Sequence, residues 1–474
     1  MKLKFYSAAI ALALFASCSS QTSKVTLVSS NETEKWNYET AVTADSAQPT
    51  TTISVNKSAV GQEVLGFGAC FNELGWTSLG LLSPEDRESI LKELFQPSYG
   101  ANFNICRMPL GANDFSLDWY SYCETDGDFD MKTFSIENDK NTLIPFINSA
   151  KKYNPSVKIW ASPWSPPTWM KYNGHYAARF NGNNPNPKYH NGLAIENQGF
   201  EGTDMFKQED KYLSAYALYF SKFIEAYKQE GIDIFAVMPQ NEFNSDQVFP
   251  SCCWQAQSLA NFIGEHLGPR MEEQGVDIMF GTMERPNAKL VDTILTDEKA
   301  KKYVKGVGFQ WAGKDAIPSI HENYPDMLLY QTEQECGNGK NDWEHLTHSW
   351  DLLKHYFDNG TSAYMYWNIS LEEGGISRWG WAQNSLVVVD PATNTYRFSH
   401  EYYLMKHISH FVAPGSKYLK LDGVEDALAF LTPSNEVVML LFERTGSNRK
   451  VEISVDGKTE TVVLPKNSIN TVIL

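Results

Sequence analysis

The stretch Ala236-Val-Met-Pro-Gln-Asn-Glu242 decides the fold, because an apolar run ends there on an Asn-Glu pair. Before it, residues 212–230 carry apolar side chains at helical spacing, Gly231 follows, and residues 232–238 form the apolar run. This order predicts a helix, a glycine stop and a buried strand with Glu242 at its C-terminal tip. In a barrel of parallel strands, catalytic residues come from such tips. The stretch therefore predicts an α/β barrel with a carboxyl group at its functional end.

A second apolar run, 327–330, ends in Gln331-Thr-Glu333. Glu242 and Glu333 are far enough apart in the chain to lie on different strands of one barrel. A single glutamate at a strand end could equally form a loop ion pair. Two carboxyl groups that face each other across a cleft are the minimum apparatus for cleaving a glycosidic bond, one as proton donor and one as nucleophile. The pair therefore predicts glycoside chemistry.

Eight short apolar runs alternate with mostly helical segments, which is the pattern of a (β/α)8 TIM barrel. Between the first two runs, Ser83-Pro84 supplies a cap residue and a first-turn proline, which predicts a helix over 83–95. We place the barrel at residues 64–405. The eight runs are 64–68, 103–108, 157–160, 232–238, 278–280, 304–309, 327–330 and 363–367.

After His410 the pattern changes to short alternating strands separated by turns. Such a series predicts a small β-sandwich at residues 406–474. The segment Thr51 to Val55 is typical of one more strand, so residues 46–63 are expected to join this domain, which is then built from both chain ends. The C-terminal strands are predicted at 418–421, 427–431, 437–442, 451–455, 459–464 and 469–474.

The N-terminus has the features of an export signal. A basic opening, Met1 to Lys4, precedes an apolar segment, Phe5 to Phe15, that is too short to span a membrane as a mature helix. Two small residues then lead to Cys18, as at a bacterial lipoprotein cleavage site. We expect a signal peptide at 1–18, a lipid-anchored N-terminus in the periplasm or on the outer-membrane surface, and a tether at 19–45. An ordinary secretory peptide cut nearby is the alternative.

Charge and cysteine content exclude several classes of function. The formal net charge of −17 argues against binding to nucleic acid or to anionic membrane surfaces, since both favour basic patches. A neutral carbohydrate fits better, and 13% aromatic residues supply rings for sugar stacking. The spacing of the other six cysteines is unlike a zinc site, and buried free thiols are expected at Cys70, Cys106 and Cys336. The state of the Cys252-Cys253 pair stays open.

The predicted strand tips carry further polar and aromatic residues. Arg107 and Asp114 follow strand two, Trp164 and Trp169 lie in a proline-rich loop after strand three, and Trp367 ends strand eight. A fixed cation, a carboxylate that accepts from hydroxyls and aromatic rings are the parts of a sugar-binding cleft. Each has a structural alternative: an ion pair for Arg107, a turn cap for Asp114 and a core position for Trp169. Their joint occurrence favours the cleft.

These residues lie within motifs that resemble glycoside hydrolase family 30, which includes the lysosomal glucosylceramidase. The likeness runs in the family's order from about residue 60 to 415, and it implies a retaining enzyme with a barrel and an attached β-domain. The motifs are Gly66-Phe-Gly68, Ile105-Cys-Arg-Met-Pro109 with Asp114-Phe-Ser116, Ala161-Ser-Pro-Trp-Ser-Pro-Pro-Thr-Trp169, Asn241-Glu242, Thr332-Glu333, Trp367-Asn368 with Gly374-Gly375, and His407 to Gly415.

The resemblance also implies roles for single residues. Glu242 corresponds to the acid/base and Glu333 to the nucleophile, and neither a metal nor an organic cofactor is required. Glu335, two residues after Glu333, is a rival nucleophile. The other implied roles are sugar contacts for Asp114, Trp164 and Trp367, a bond to the sugar 2-hydroxyl for Asn241, and a cation that keeps the nucleophile ionised for Arg107.

The mechanism so implied is a double displacement. Glu333 attacks the anomeric carbon while Glu242 protonates the departing oxygen; water then enters with Glu242 as base. The carboxyl groups should lie about 5–5.5 Å apart. The pKa of Glu242 must be raised, and the charge of Glu333 and partial burial are the expected causes.

Departures from the glucosylceramidase pattern lie around the sugar and the aglycone entrance. Phe243 replaces a proline, Gln310-Trp-Ala312 replaces His-Trp-Tyr, and Trp381 stands where that branch has an asparagine. We therefore count Gln310 and Trp381 among the substrate-binding residues and expect β-1,6-glucan or related gluco-oligosaccharides. The segment 172–210 is long enough to wall the cleft.

Several other functions stay open at this point. An exo-acting β-glucosidase, a glucosylceramidase-like enzyme, a β-xylosidase or a β-fucosidase would use the same two carboxyl groups. Transglycosylation shares the covalent intermediate. A catalytically dead surface glycan-binding protein is the non-enzyme alternative, although such a protein would be expected to have lost one carboxylate.

Overall fold

The computed structural model describes residues 25–39 and 48–474. The predicted signal peptide and its Cys18 lie outside the described residues. No helix within those two ranges is both long enough and apolar enough to cross a bilayer.

The strands, numbered along the chain, form a barrel, a two-layered β-domain and a small accessory sheet. They are β1 (Thr26–Asn31), β2 (Asn37–Glu39), β3 (Gln48–Val55), β4 (Val60–Glu63), β5 (Gly66–Cys70), β6 (Ile105–Pro109), β7 (Lys158–Ser162), β8 (Ile234–Val237), β9 (Asp277–Met283), β10 (Val304–Gln310), β11 (Leu328–Glu333), β12 (Thr361–Asn368), β13 (Ser370–Glu372), β14 (Val387–Asp390), β15 (Thr395–Phe398), β16 (Lys417–Leu419), β17 (Ala427–Leu431), β18 (Val437–Glu443), β19 (Arg449–Val455), β20 (Lys458–Leu464) and β21 (Ser468–Ile473).

Most helices follow barrel strands and cover the barrel. A π-helical turn, Phe262–Leu267, joins α5 to α6. The helices are α1 (Glu73–Gly80), α2 (Pro84–Phe95), α3 (Leu143–Tyr153), α4 (Asp210–Gln229), α5 (Ala256–Asn261), α6 (Gly268–Gln274), α7 (Ala288–Thr296), α8 (Ile317–Asn323), α9 (Trp343–Asp358) and α10 (His400–Ser409).

The eight strands β5 to β12 close into a parallel barrel in chain order, which confirms the predicted TIM barrel. Each of the eight predicted apolar runs coincides with one of them, because strands covered on both faces need nearly continuous apolar sequence. Alternate residues point inward and fill the barrel with an apolar layer, which is made by Ile105, Trp160, Ala236, Met238, Met279, Tyr330, Ala363 and Met365.

Local signals in the sequence set two of the barrel helices. The Ser83 side chain accepts a hydrogen bond from the Asp86 amide and Pro84 opens α2, as the sequence predicts. Helix α4 is followed by Gly231, whose φ of +77° ends the helix in the left-handed region.

The second domain is a sandwich of two sheets. A seven-stranded sheet, in the order β2-β1-β21-β18-β17-β16-β4, packs on a three-stranded sheet, β20-β19-β3. The segment Thr51 to Val55 lies in β3, which pairs in parallel with β19. The prediction that both chain ends build this domain is confirmed.

The predicted tether at 19–45 needs correction, because β1 and β2 lie within it. β1 pairs antiparallel with β21, and Leu27 is buried in the sandwich core. The strand was missed because Ser29 and Ser30 look solvent-exposed in sequence. In the structure the Ser29 hydroxyl donates to Asn470 at 2.6 Å, and the Ser30 hydroxyl lies 2.9 Å from His407 Nε2.

Two further features differ from the prediction. The expected boundary between residues 405 and 406 falls inside α10, a continuous helix that packs against β21. The accessory sheet β13-β14-β15 follows the last barrel strand and was not predicted. Its strands have three or four residues, too few for a clear alternation.

Candidate active site

A cavity of about 80 Å³ lies at the C-terminal ends of the barrel strands. Four predicted residues line it: Asp114, Glu242, Glu333 and Trp381. The others were not predicted, and they are Gln247, Phe249, Glu284, Trp311 and Gln383.

Glu333 ends β11 and is buried among hydrogen-bond donors. Its Oε2 accepts from Arg107 Nη1 at 3.1 Å and from Gln310 Nε2 at 3.2 Å, and its Oε1 accepts from Trp311 Nε1 at 3.0 Å. Burial raises the pKa of Glu333, while the Arg107 charge and the hydrogen bonds of Trp311, Arg107 and Gln310 oppose that rise. These donors favour the ionised form that a nucleophile requires.

Arg107 is held rigidly beneath the two carboxyl groups. It lies two residues beyond Ile105 on β6, so its side chain points into the barrel above the apolar layer. The guanidinium donates to Ser162 Oγ at 2.9 Å and to Asn241 Oδ1 at 2.6 Å. Its carbon lies 4.3 Å from the Trp164 ring centroid. A fully buried cation fixed in this way can pair with Glu333 without moving.

Gln310 bridges the two predicted catalytic residues. Its Nε2 donates to Glu242 Oε1 at 3.0 Å and to Glu333 Oε2 at 3.2 Å. Because one nitrogen lies 3.0 Å from the first oxygen and 3.2 Å from the second, the two oxygens are at most about 6 Å apart. Retaining glycosidases need about 5–5.5 Å between their carboxyl groups. The geometry of Gln310 therefore fits a direct displacement better than one with a water between the carboxyl groups.

Glu242 has a different environment from Glu333. Its Oε2 is buried and has no hydrogen-bond partner among the described residues. Burial raises the pKa of Glu242 well above its usual value, and the charges of Glu333 and Glu284 raise it further. The expected direction is confirmed, with burial as the larger cause. A protonated carboxyl group at this position is suited to donate a proton.

Two residues that line the cavity have strained backbone conformations. Glu242 has φ +49° and Trp311 has φ +47°, both in the left-handed region that non-glycine residues avoid. The Glu242 amide donates to Thr282 Oγ1 at 3.0 Å, which holds that conformation in place. Strain of this kind costs about 1–3 kcal/mol per residue and tends to occur at functional sites.

Asn241 and Asp114 also face this region. The Asn241 Oδ1 accepts from Arg107, Thr282 and Gln310 at 2.6, 3.0 and 3.1 Å, so its amide nitrogen is left to donate to a ligand. The Asp114 Oδ1 is buried and lacks a partner within residues 25–39 and 48–474. Burial, followed by the charge of Glu333, raises the pKa of Asp114 well above its usual value.

Trp164 and Trp367 flank Arg107 and are not among the residues that line the cavity, so their expected contact with the sugar stays a prediction. They stack on each other at 5.4 Å between ring centroids and are almost completely buried around Arg107. Trp381, in contrast, is 45% exposed and contacts Trp311 edge to face at the opening of the cavity. Trp169, the loop tryptophan with a core alternative, is buried and donates to the Cys123 carbonyl oxygen.

The choice between Glu333 and Glu335 is clear from their contacts. The strand ends at Glu333, and the Glu335 carboxylate turns to Lys314 at 2.7 Å and to His348 at 3.0 Å. Burial opposes ionisation of Glu335, but hydrogen bonds from His348 and Lys314 lower its pKa overall. Glu335 is thus engaged in an ion-pair cluster, while Glu333 lines the cavity.

Three of the five residues that sequence reasoning missed have an identifiable reason. Glu284 directly follows β9, so the strand-tip argument applied to Glu242 and Glu333 would have found it. Gln247 and Phe249 lie in an irregular loop with no periodic signal. The insert 172–210 positions that loop: the amides of Ala178 and Arg179 both donate to the Gln247 carbonyl, at 3.0 and 2.9 Å.

The cysteines of residues 25–39 and 48–474 are free thiols. Within the described ranges no group of His, Cys, Asp and Glu is arranged to hold a metal ion. The expected buried free thiols at Cys70, Cys106 and Cys336 are confirmed, and Cys123, Cys252 and Cys253 are buried free thiols as well.

Comparison with known proteins agrees with this architecture. The chain is 28% identical to the lysosomal acid glucosylceramidase of Mus musculus over 86% of this chain and 81% of that protein. It is 26% identical to the endo-1,6-β-D-glucanase neg1 of Aspergillus fumigatus over 89% of this chain and 87% of that protein.

Two solved structures share the whole fold. SrfJ from Salmonella typhimurium matches with a TM-score of 0.83 at 22% identity, over 95% of this chain and 99% of that one. An endo-β-1,6-glucanase matches with a TM-score of 0.79 at 24% identity, over the same shares.

Family models match both domains. The glycosyl hydrolase family 30 TIM-barrel domain matches residues 64–412, and the family 30 β-sandwich domain matches residues 415–472. The chain therefore belongs to glycosyl hydrolase family 30 and is an enzyme that hydrolyses glycosidic bonds.

Proposed function

We propose that the protein hydrolyses β-glucosidic bonds with retention of configuration, with Glu333 as nucleophile and Glu242 as acid/base. The observation that carries this assignment is the environment of the two carboxyl groups. They share the Gln310 amide nitrogen, but Arg107 and Trp311 bind Glu333, while one oxygen of Glu242 has no partner within the described chain. An ionised and a protonated carboxyl group side by side are what the reaction needs.

The first step forms a bond between Glu333 and the anomeric carbon. The bond to the leaving oxygen breaks, and that oxygen takes the proton of Glu242. In the second step Glu242, now ionised, removes a proton from water, whose oxygen displaces Glu333 from the anomeric carbon. Both glutamates return to their starting protonation states, and Arg107 neutralises the carboxylate that is released.

The proposed substrate is a β-1,6-linked glucan or its oligosaccharides. This choice is supported by two similar proteins, the fungal endo-1,6-β-D-glucanase and the endo-β-1,6-glucanase of known structure. Asp114 Oδ1, which has no partner among the described residues, and the Asn241 amide nitrogen supply an acceptor and a donor for the hydroxyls of the glycone sugar.

A second candidate is the release of single glucose units from a chain end. The small catalytic cavity, narrowed by Trp311 and Trp381, favours this mode because it leaves little depth beyond one sugar. The two modes use the same chemistry and differ in the products that they form.

The test is a time course on β-1,6-glucan, β-1,3-glucan, xylan and aryl β-glycosides, with Glu333→Gln as the inactive control. A ladder of oligosaccharides from β-1,6-glucan would support internal cleavage, and glucose alone would support the second candidate. Preferential cleavage of xylan or of an aryl β-fucoside would refute the glucan assignment. Activity that survives in Glu333→Gln would refute the assignment of the nucleophile.

We also propose that the protein is exported and anchored by a lipid at Cys18. The basic opening, the short apolar segment and the small residues before this cysteine support the proposal. In a bacterial host, the native protein should partition with membranes, and Cys18→Ser should shift it to another fraction. A Cys18→Ser protein that stays membrane-bound would count against the anchor.

A further inference from the structure

The end of β9 places a carboxyl group and a guanidinium beside the catalytic cavity. Glu284 is the first residue after β9, and this strand pairs in parallel with β8, which leads to Glu242. The Glu284 side chain is only 10% exposed, and it lines the same cavity as Glu242 and Glu333. None of the steps described above uses this carboxyl group.

Glu284 is fixed in position by its neighbours. Its carboxylate contacts the Arg285 guanidinium, and Arg285 in turn donates to Glu201 Oε1 at 2.7 and 3.0 Å. The Glu284 amide donates to Asn244 Oδ1 at 3.2 Å. A carboxyl group and a guanidinium held in this way present acceptors and donors at fixed places.

The order of strands around the barrel shows which part of the substrate Glu284 and Arg285 face. The strands that end near the two catalytic glutamates, β8 and β11, divide the barrel into two arcs. One arc, β12-β5-β6-β7, supplies Asp114 and the buried tryptophans around Arg107, so the glycone sugar is expected on that side. The other arc consists of β9 and β10 and carries Glu284 and Trp311. The leaving group must therefore depart over the second arc, next to the residue that protonates it.

A larger hollow lies beside this arc. Its volume is about 600 Å³, and Arg285, Asn244, Glu201 and Gln257 are among the residues that line it. Arg285 borders this hollow and Glu284 lines the catalytic cavity, so the ion pair between them lies between the two spaces. Charged and amide side chains in such a space can bond hydroxyl groups, and the same lining includes the aromatic ring of Trp254.

We propose that Glu284 and Arg285 bind hydroxyl groups of the leaving sugar, and that the hollow beyond Arg285 takes further sugar units of the departing chain. This inference rests on the proposed β-glucosidase chemistry and deepens it. The leaving group is then a hydroxylated carbohydrate and not a lipid. Glu284 accordingly helps to determine which leaving groups the enzyme accepts.

The test compares two substrates that share the glycone and differ in the leaving group. Gentio-oligosaccharides present hydroxyls to Glu284 and Arg285. The 2,4-dinitrophenyl β-glucoside presents none, and its leaving group is acidic enough to depart without a proton from Glu242. The variants are Glu284→Gln, which keeps the shape, and Arg285→Met, with the exposed Glu322→Gln as a matched control. Each protein is measured at the pH where its own activity peaks.

We expect kcat/KM on gentio-oligosaccharides to fall about 10- to 100-fold in Glu284→Gln and in Arg285→Met, since each loses a charge-assisted hydrogen bond. For the dinitrophenyl glucoside, kcat/KM reports formation of the covalent intermediate, which needs no proton from Glu242; it should change less than about 3-fold, which also shows that the variants fold. Equal losses on both substrates, or no loss on either, would overturn the inference. A wild-type protein that cleaves neither substrate would instead refute the proposed β-glucosidase function.

Discussion

Two glutamates meet in one cavity, and their surroundings differ in a way that separates their roles. Glu333 accepts three hydrogen bonds, one of them from a fully buried arginine. Glu242 accepts one, from Gln310, and its other oxygen has no hydrogen-bond partner among the described residues. Both are buried, so burial alone cannot separate them. The donors around each carboxyl group decide which one holds its charge and which one holds a proton.

One buried cation lies among three buried carboxyl groups in this site. Asp114, Glu242 and Glu333 lie around the Arg107 guanidinium, which approaches Glu333 most closely and interacts with all three. Three buried carboxylates near a single cation cannot all ionise without a large desolvation cost. Protons therefore stay on the carboxyl groups that have the fewest donors.

The largest expected effect tests Glu333. Glu333→Gly should lower kcat/KM on aryl β-glucosides by about 10⁴-fold or more, because it removes the carboxylate that forms the covalent intermediate. Azide added to this variant should enter the vacated space and give an α-glucosyl azide, which NMR would identify. A β-glucosyl azide as the product would assign the nucleophile elsewhere.

Removal of Glu242 should depend on the leaving group. Glu242→Ala should lose about 10²- to 10⁴-fold on substrates that need a proton, such as gentiobiose. Formation of the covalent intermediate from the dinitrophenyl glucoside should be nearly unchanged, so a burst of dinitrophenol should precede slow turnover in stopped-flow traces. Uniform loss across leaving groups would mean that Glu242 is not the acid.

The third prediction concerns Arg107, the cation that contacts Glu333 more closely than Glu242. Arg107 opposes the rise in the pKa of Glu333, so Arg107→Met should raise that pKa further. Because the nucleophile must be ionised, the acidic limb of the profile of kcat/KM against pH should move to higher pH, by about one unit or more. Arg107→Lys keeps a positive charge and is the matched control, with a smaller shift. An unmoved limb in Arg107→Met would show that the arginine does not tune Glu333.

The smallest expected effect is a shift in the pKa of Glu242. The charge of Glu284 adds to burial in raising the pKa of Glu242. Glu284→Gln should therefore lower that pKa, and the basic limb on an aryl glucoside with a poor leaving group should move to lower pH, by less than about one unit. A shift to higher pH would contradict the electrostatic account.

The barrel was predictable because its strands and their tips are encoded locally. Eight apolar runs, and glutamates three or four residues after two of them, needed no tertiary information. The strand β1 was missed because Ser29 and Ser30 are satisfied by partners hundreds of residues away, Asn470 and His407. Glu284 was missed although its position followed the same rule as Glu242.

The sequence by itself determined the eight barrel strands, their order, and the arrival of Glu242 and Glu333 at the C-terminal end of the barrel. Only the tertiary structure decided how those side chains share protons. Gln310 touches both glutamates, Trp311 turns to Glu333, and Glu284 comes beside Glu242. A pKa depends on distances of a few ångströms between residues far apart in the chain, and a one-dimensional pattern does not contain them.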